Sequence, residues 1–282
     1  MFGLIPAAVF FFRLETQSNT FHEFMVTRNI VTASKLIETI ERNLFERYGD
    51  VQAFTLNSAA SNPKNWNNPT KDNPLIQAMN GYMTGYGIYD LMVLADPNGK
   101  LLAVNTVNAQ GVKIPTQQAY NISFANEDWL KNALSGQFLK GKHGFTGTVV
   151  ENVHRHPLID SIYRKESYVL TFAAPVKDAS GKIVAVWANF ADFGLVEDIV
   201  GTFYQDYAED GQKETELTIL DKQGNILVDY DPNASNSKKY VRDFKVLGQV
   251  NLSKLGVQAA QAAVKKDAHG GIVFSWHVRK KN

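Results

Sequence analysis

The chain contains no cysteine in 282 residues. That excludes disulfide frameworks, thiolate metal centres and cysteine nucleophiles, and it suits an oxidising compartment as well as a reducing one. An excess of one charge is missing too: 29 Lys and Arg stand against 28 Asp and Glu, a formal +1. Such a balance argues against nucleic acid as the partner. No phosphate loop, dinucleotide fingerprint or nucleophile elbow is present. Acidic residues and His are not spaced for acid–base work, so neither a catalytic residue nor a cofactor is expected. A hydrophobic content of 44% with 20% charged residues does give material for packed cores, and the length allows one large or two ordinary domains.

The longest apolar stretch is at the start, "MFGLIPAAVFFF", residues 1–12. Twelve residues fall short of the roughly 20 a spanning helix needs, and no basic region precedes them as in a secretory signal. Three readings stay open: the end of a transmembrane helix, a buried terminal element, or a signal-like segment. From 13 to 54 there is no Pro and one Gly, Gly49. Ala33, Ile37, Ile40, Leu44, Tyr48 and Val51 recur at helical spacing, with Lys35, Glu38, Glu41, Arg42, Glu46 and Arg47 on the other face. The pattern predicts a long stalk helix over 13–54; a core helix broken near Gly49 is the alternative.

One unit recurs beyond this helix. "LMVLADPNGKLLAV" (91–104), "TFAAPVKDASGKIVAVWANF" (171–190) and "LTILDKQGNILVDYD" (217–231) each run apolar strand, Asp-x-x-Gly turn, apolar strand. Asp closes turns with its side chain and Gly supplies positive φ. Three such hairpins predict antiparallel sheet, in more than one sheet. Between them, 57–74 reads as loop, "PLIQAMNGYM" as a short helix, 125–137 as a helix capped by Asn126 or Asp128 and ended by Gly136, 141–164 as a polar connection, and 191–210 as a helix. After the third hairpin, "NLSKLGVQAAQAAVKKD" reads as helix and "GIVFSWHVRKKN" as a strand that ends the chain abruptly.

The order of these parts resembles the double Cache (dCache) sensor domains of bacterial chemoreceptors. The resemblance rests on the apolar stub, the helix containing "LFERYGDVQAF", the hairpin "MVLADPNGKLLAV", the helix "DWLKNAL", the hairpin "FAAPVKDASGKIVAVWANFAD" and the start of a second module at "LTILDKQGNILVDYD". It implies an α+β fold: a long N-terminal helix and two PAS-like modules, each a central antiparallel sheet flanked by helices. Residues 55–205 would be the membrane-distal, ligand-binding module and 206–282 a membrane-proximal one, incomplete at its end on this reading. It further implies a periplasmic or extracellular sensing region anchored in the bacterial inner membrane, a homodimer formed through the N-terminal helix, and no enzymatic activity. An anchored enzyme or a structural ectodomain is the competing class.

The resemblance also implies where a ligand sits. Asn126, Asp128 and Trp129 come from the "DWL" helix, Asp160, Tyr163, Tyr168 and Thr171 from the connection into the second hairpin, and Trp187 and Asn189 from the strand after its turn. Each has a plainer reading: core packing for Trp129, ordinary strand positions for Tyr168 and Thr171, a loop carboxylate for Asp160. A buried amide at Asn189 needs a partner in the protein or in a ligand. The amino-acid-binding members of the family carry an Arg near the short helix and an Asp on the later strand. Here "SFANEDWLKNAL" has no Arg, and Asn189 stands at the Asp position. The first expectation is therefore a flat, uncharged heteroaromatic such as a purine, stacked on an aromatic ring and read by the amide. An amine or amino acid held by Asp128 or Asp160 comes next, then a carboxylate held by Arg155 or Arg164. His154 and His156 flank Arg155 and read as a solvated turn rather than a zinc site. "ADPNGK" and "DYDPNASN" lack the spacing of calcium loops and read as turns.

Overall fold

The computed structural model describes residues 4–140, 144–211, 216–230 and 240–265, with side chains described from 24 onward except 25, 26 and 259. Two compact units divide the chain: Arg42–Asp198, and Met1–Glu41 together with Ile199–Asn282.

The N-terminal helix α1 runs unbroken over Leu4–Thr55, through Gly49. Its buried positions are Leu36, Ile40, Tyr48, Val51 and Phe54, so the apolar stripe is displaced slightly from the predicted one. Arg47, expected on the solvent face, is instead buried. Its guanidinium is 2.7 Å from Asp50 and 3.1 Å from Glu46, which satisfies the charge where it is removed from water. The short helix α2 (Ser58–Ser61) and a 3-10 turn (Pro63–Asn65) occupy part of the stretch read as loop. Asn57 and Asn62 cap them by accepting backbone N–H groups, so the Asn-rich composition marks caps as much as coil. α3 (Pro74–Tyr86) starts with Pro at its first position, is capped by Asn73, and stops at Gly87 with φ 71°.

The Arg42–Asp198 unit is built on a five-stranded antiparallel sheet in the order β2-β1-β5-β4-β3. Its strands are β1 (Tyr89–Ala95), β2 (Leu101–Val104), β3 (Val149–His154), β4 (Val169–Lys177) and β5 (Ile183–Asp192). Between β2 and β3 lies α4 (Asp128–Ser135), and between β3 and β4 lies α5 (Pro157–Tyr163). β3 and α5 fall in the stretch read as a polar connection. β3 carries one strongly buried residue, Val149, so its apolar signal is faint. It is held from its N-terminal side, where the Thr148 hydroxyl donates to the Tyr48 carbonyl at 2.9 Å and accepts from Gln52 at 2.9 Å.

Because side chains alternate across a strand, the sheet has two distinct buried faces. One carries Leu91, Val93, Ala173, Ala188 and Phe190 and packs against Trp129, Leu130 and Ala133 of α4 and Leu158, Ile159 and Ile162 of α5. The other carries Trp187, whose ring lies 6.0 Å from Phe54 of α1 and 6.1 Å from Tyr82 of α3.

In the second unit, the first part of α6 (Gly194–Glu209) having begun in the other, the hairpin β6 (Leu217–Leu220) and β7 (Ile226–Tyr230) forms a two-stranded sheet. The Arg28 guanidinium pairs with Asp210, and the Tyr207 hydroxyl donates to Asn29 at 3.2 Å. The helix read over 251–267 begins later, as α7 (Gln258–Lys265). Its predicted first turn is taken up otherwise: Asn251 bridges to Asn225, and Gly256 turns the chain at φ 83°. The strand predicted at 271–282 lies outside the described residues.

Candidate functional site

At the start of α4 acidic side chains gather around a shallow, open cleft. Neither Asn126 nor Asp128 caps this helix. Glu127 occupies the cap position without a side-chain bond, and Asp128 is the first helical residue. The acidic pair suits the positive end of a helix all the same. Beside it opens a cleft of about 260 Å³ lined by Asn126, Glu127, Asp128, Glu151 and His154. Three carboxylates and one imidazole thus share its wall with an amide, and no Lys or Arg is in the lining.

Glu151 comes from β3. It pairs across the ladder with Thr171 of β4, which pairs with Phe190 of β5. The row therefore runs inward from the cleft along one face of the sheet. Desolvation by burial raises the Glu151 carboxyl above its ordinary value, while Thr171, His154 and the backbone N–H of Trp129 act in the opposite direction. Further in, the Trp129 ring stands edge-on to Phe190 at 6.4 Å and 87°, and His156 packs on Phe190 at 4.7 Å. Trp129, Thr171 and His156 are all buried. Trp129 Nε1 and both ring nitrogens of His156 lack hydrogen-bond partners, whereas the Thr171 hydroxyl faces Glu151 across the ladder and helps hold its carboxyl down. His156 is thus no solvated turn: it precedes α5 with its backbone N–H bonded to Ser167 Oγ at 2.9 Å. Burial lowers its pKa to about 4, with His154 adding to the effect and Asp160 opposing it.

Of the residues expected around a ligand, Asn126 and Asp128 line the cleft, and Trp129 and Thr171 lie behind it. Asp160 and Tyr163 belong to the same side of the sheet but are otherwise engaged. Asp160 accepts from the Ser167 N–H and hydroxyl, each at 2.6 Å, and from Arg155 at 2.7 Å. Burial alone would raise its pKa; these donors hold it below the usual value. Tyr163 donates to the Asp90 carbonyl at 2.8 Å. Arg155, considered as a carboxylate binder, also reaches Glu166 at 2.6 Å; Arg164 caps the end of α5 in the left-handed region, φ 52°.

Trp187, Asn189 and Tyr168 fall elsewhere. Asn189 pairs with Met92 and Phe172 on the face turned to α1 and α3. It finds its partner inside the protein, because Trp187 Nε1 donates to Asn189 Oδ1 at 2.8 Å. Tyr168 packs edge-on against Phe193 at 5.2 Å. Trp129 and Asn189 therefore lie on opposite faces of one sheet, and the stacking-plus-amide pair drawn for a purine does not come together. Glu127, Glu151, His154 and His156 were not singled out as ligand contacts. The alternation in "VVENVH" is the signal that could have placed Glu151 on a strand face.

A long helix followed by a five-stranded antiparallel sheet with helices on both faces is the arrangement of the Cache, PAS-like fold class. Solved structures similar to the chain are sensory domains of bacterial chemoreceptors, which agrees at the level of fold with the resemblance drawn from the sequence. The sensory domain of the Campylobacter jejuni chemoreceptor Tlp3 with isoleucine bound is 14% identical, with a TM-score of 0.54 over 84% of this chain and 81% of that one. The Tlp3 ligand-binding domain in complex with L-valine is 12% identical, with a TM-score of 0.52 over 79% of this chain and 77% of the other. No family model matches the chain, and no curated protein matches it.

Proposed function

We propose that this chain is the extracytoplasmic sensing region of a membrane-anchored receptor of the chemoreceptor type, and that it binds a small metabolite through an ammonium group at the start of α4. The observation that carries the reading is the cleft wall of Glu127, Asp128 and Glu151 with no cation in the lining. An ammonium there gains Glu127 and Glu151 as charge-assisted acceptors and relieves the desolvated Glu151, while Asp128 is shared with Lys131, whose Nζ lies 3.8 Å away. The solved structures of similar fold support it in kind, since Tlp3 is described with isoleucine and L-valine. The purine expectation is dropped, and the amino-acid or amine alternative takes its place.

The sensor role, the periplasmic location, the membrane anchor and a homodimer through α1 belong to the same proposal. Phe24 and Val31 of α1 are exposed and seven positions apart, as a helix-pairing seam requires. No helix among the described residues is long and apolar enough to cross a membrane. The role is ligand binding without turnover. A thermal-shift and calorimetric screen of amines, amino acids, purines and carboxylates tests the reading. Binding by amines or amino acids, lost in Glu151→Gln, supports it; binding by purines alone, or release of a chemically altered ligand, refutes it.

A further inference from the structure

β3 is not a regular strand. Glu151 pairs with Thr171 and His154 with Val169, so three residue steps on β3 are matched by two on β4. In a regular strand, residues three apart point to opposite faces. The slip is a bulge, which brings His154 onto the face that carries Glu151. Both residues accordingly line the cleft beside α4. His154 Nδ1 lies 2.8 Å from the Asn152 carbonyl oxygen. A carbonyl only accepts, so Nδ1 carries a hydrogen, and the proton this ring gains or loses is the one on Nε2. The imidazole is thus held through one nitrogen and titrates at the other.

We propose that His154 is a built-in competitor for the ammonium site: as the imidazolium it pairs with Glu151 and excludes the amine, and as the neutral imidazole it leaves the acidic wall open. The proposal rests on the ammonium reading of the cleft and adds the regulation of that site. Charged groups come to this ring from each neighbouring element. Glu127 and Asp128 at the start of α4 and Glu151 on β3 share the lining, and Lys131 of α4 stands 3.8 Å from Asp128. The His156 ring, before α5, is 6.0 Å away; beyond it Asp160 of α5 is held by Arg155 and Ser167, and Arg155 also by Glu166. Burial raises the Glu151 carboxyl, and His154 is among the groups that pull it back down. Ligand and proton therefore compete for one counter-charge, and an amine that binds the protonated site expels the Nε2 proton to solvent. Histidine changes charge between pH 5 and 8, a range over which an alkylamine stays an ammonium, as Lys does. Acidification thus empties the site by changing the protein and not the ligand.

Chemical-shift titrations of the full chain with n-butylamine at pH 8, 7 and 5.5 and constant ionic strength test this, with circular dichroism checking that the chain is folded at each pH. The wild type should lose at least about tenfold in affinity from pH 8 to pH 5.5, as one competing proton produces. His154→Gln keeps a polar group of similar reach that cannot charge. It should bind at pH 8 within about threefold of the wild type, and its loss on acidification should be at least about threefold smaller. Glu151 titrates in the same direction, because protonation removes an acceptor, so whatever fall survives in His154→Gln belongs to Glu151. No fall in the wild type, or an equally steep one in His154→Gln, overturns this inference while the ammonium reading stands. Failure of both n-butylamine and L-valine to bind the folded wild-type chain at any of the three pH values overturns both.

Discussion

At the scale of single residues, the site is defined by groups whose surroundings oppose their charge. His156 is 5% exposed and its pKa falls to about 4, against about 6.5 in an unfolded chain. Between those values the unfolded state binds the extra proton, so stability drops as pH falls from about 6.5 toward 4, at no more than roughly 1.4 kcal/mol per unit. His154 on β3 and Asp160 on α5 face the same ring. Denaturant melts at pH 7 and pH 5 should show a clear acid loss in the wild type and a smaller one in His156→Phe; equal losses would show that His156 does not set the acid limit. Glu151 has the opposite sign. Its raised pKa means the folded state prefers the protonated acid, so stability is fully present below the ordinary carboxyl value and is lost as pH rises through the folded one. Glu151→Gln should therefore raise Tm at pH 7 by a few degrees while weakening amine binding at least about tenfold. A Tm that falls would mean the carboxylate is needed for the fold. These residues also mark where the sequence became unreadable. Asn126, Asp128 and Trp129 could be picked out because the family resemblance pointed to the "DWL" helix. Glu151 and His156 could not, because an edge strand with one strongly buried residue looks polar, and the face a side chain takes depends on pairing partners distant in sequence.

At the scale of elements, the repeated Asp-x-x-Gly turn was the most legible feature, and its physics is visible three times. Asp96 Oδ1 accepts from the N–H of Asn98 and Lys100, each at 2.9 Å. Asp178 accepts from Ser180 at 2.9 Å and Lys182 at 3.1 Å, and Asp221 from Gln223 at 2.8 Å and Asn225 at 2.9 Å. One carboxylate closing two backbone donors explains why the spacing recurs. The glycines of these turns are not equivalent. Gly99 and Gly181 have φ 81° and 83°, yet a Cβ at Gly99 would meet the Ala125 backbone at 2.1 Å, whereas at Gly181 nothing lies within 4 Å. Gly181→Ala should cost about 1 kcal/mol, the strain of the left-handed region alone, and Gly99→Ala at least twice that. Gly99 also accepts the Phe124 N–H at 2.8 Å, so Gly99→Ala should loosen the approach to α4 and weaken amine binding as well. Equal stability losses in chemical denaturation would show that the turn yields at Ala125. The helices were legible in existence and less so in their ends. α7 starts seven residues later than its pattern suggested, because Asn251 and Gly256 serve the third turn and not the helix.

At the scale of the whole molecule, the order of elements carried the fold even though identity to solved structures of the same fold is 14% or less in the two cited. Fold depends on pattern, and pattern survives where residues do not. Ligand chemistry depends on a few contacts, so the same reading placed the fold while the stacking-plus-amide pair it drew for a purine does not come together, Trp129 and Asn189 lying on opposite faces of the sheet. The two-unit division makes the sensor proposal testable without knowing the physiological ligand. The cleft lies wholly in Arg42–Asp198, and so do Trp66, Trp129 and Trp187, three of the four tryptophans. An amine held at 100 times its Kd should stabilise the unit that binds it by about 2.7 kcal/mol. Melting followed by tryptophan fluorescence reports mainly that unit, and far-ultraviolet dichroism reports the helices of both. If the units unfold separately, the fluorescence transition should move upward by several degrees while a second, dichroism-detected transition stays put. If they unfold together, both probes should shift equally, which is the coupling a receptor needs to carry occupancy of one unit into the other. A shift in dichroism without one in fluorescence would put the ligand in the other unit and remove the cleft at α4 from the mechanism.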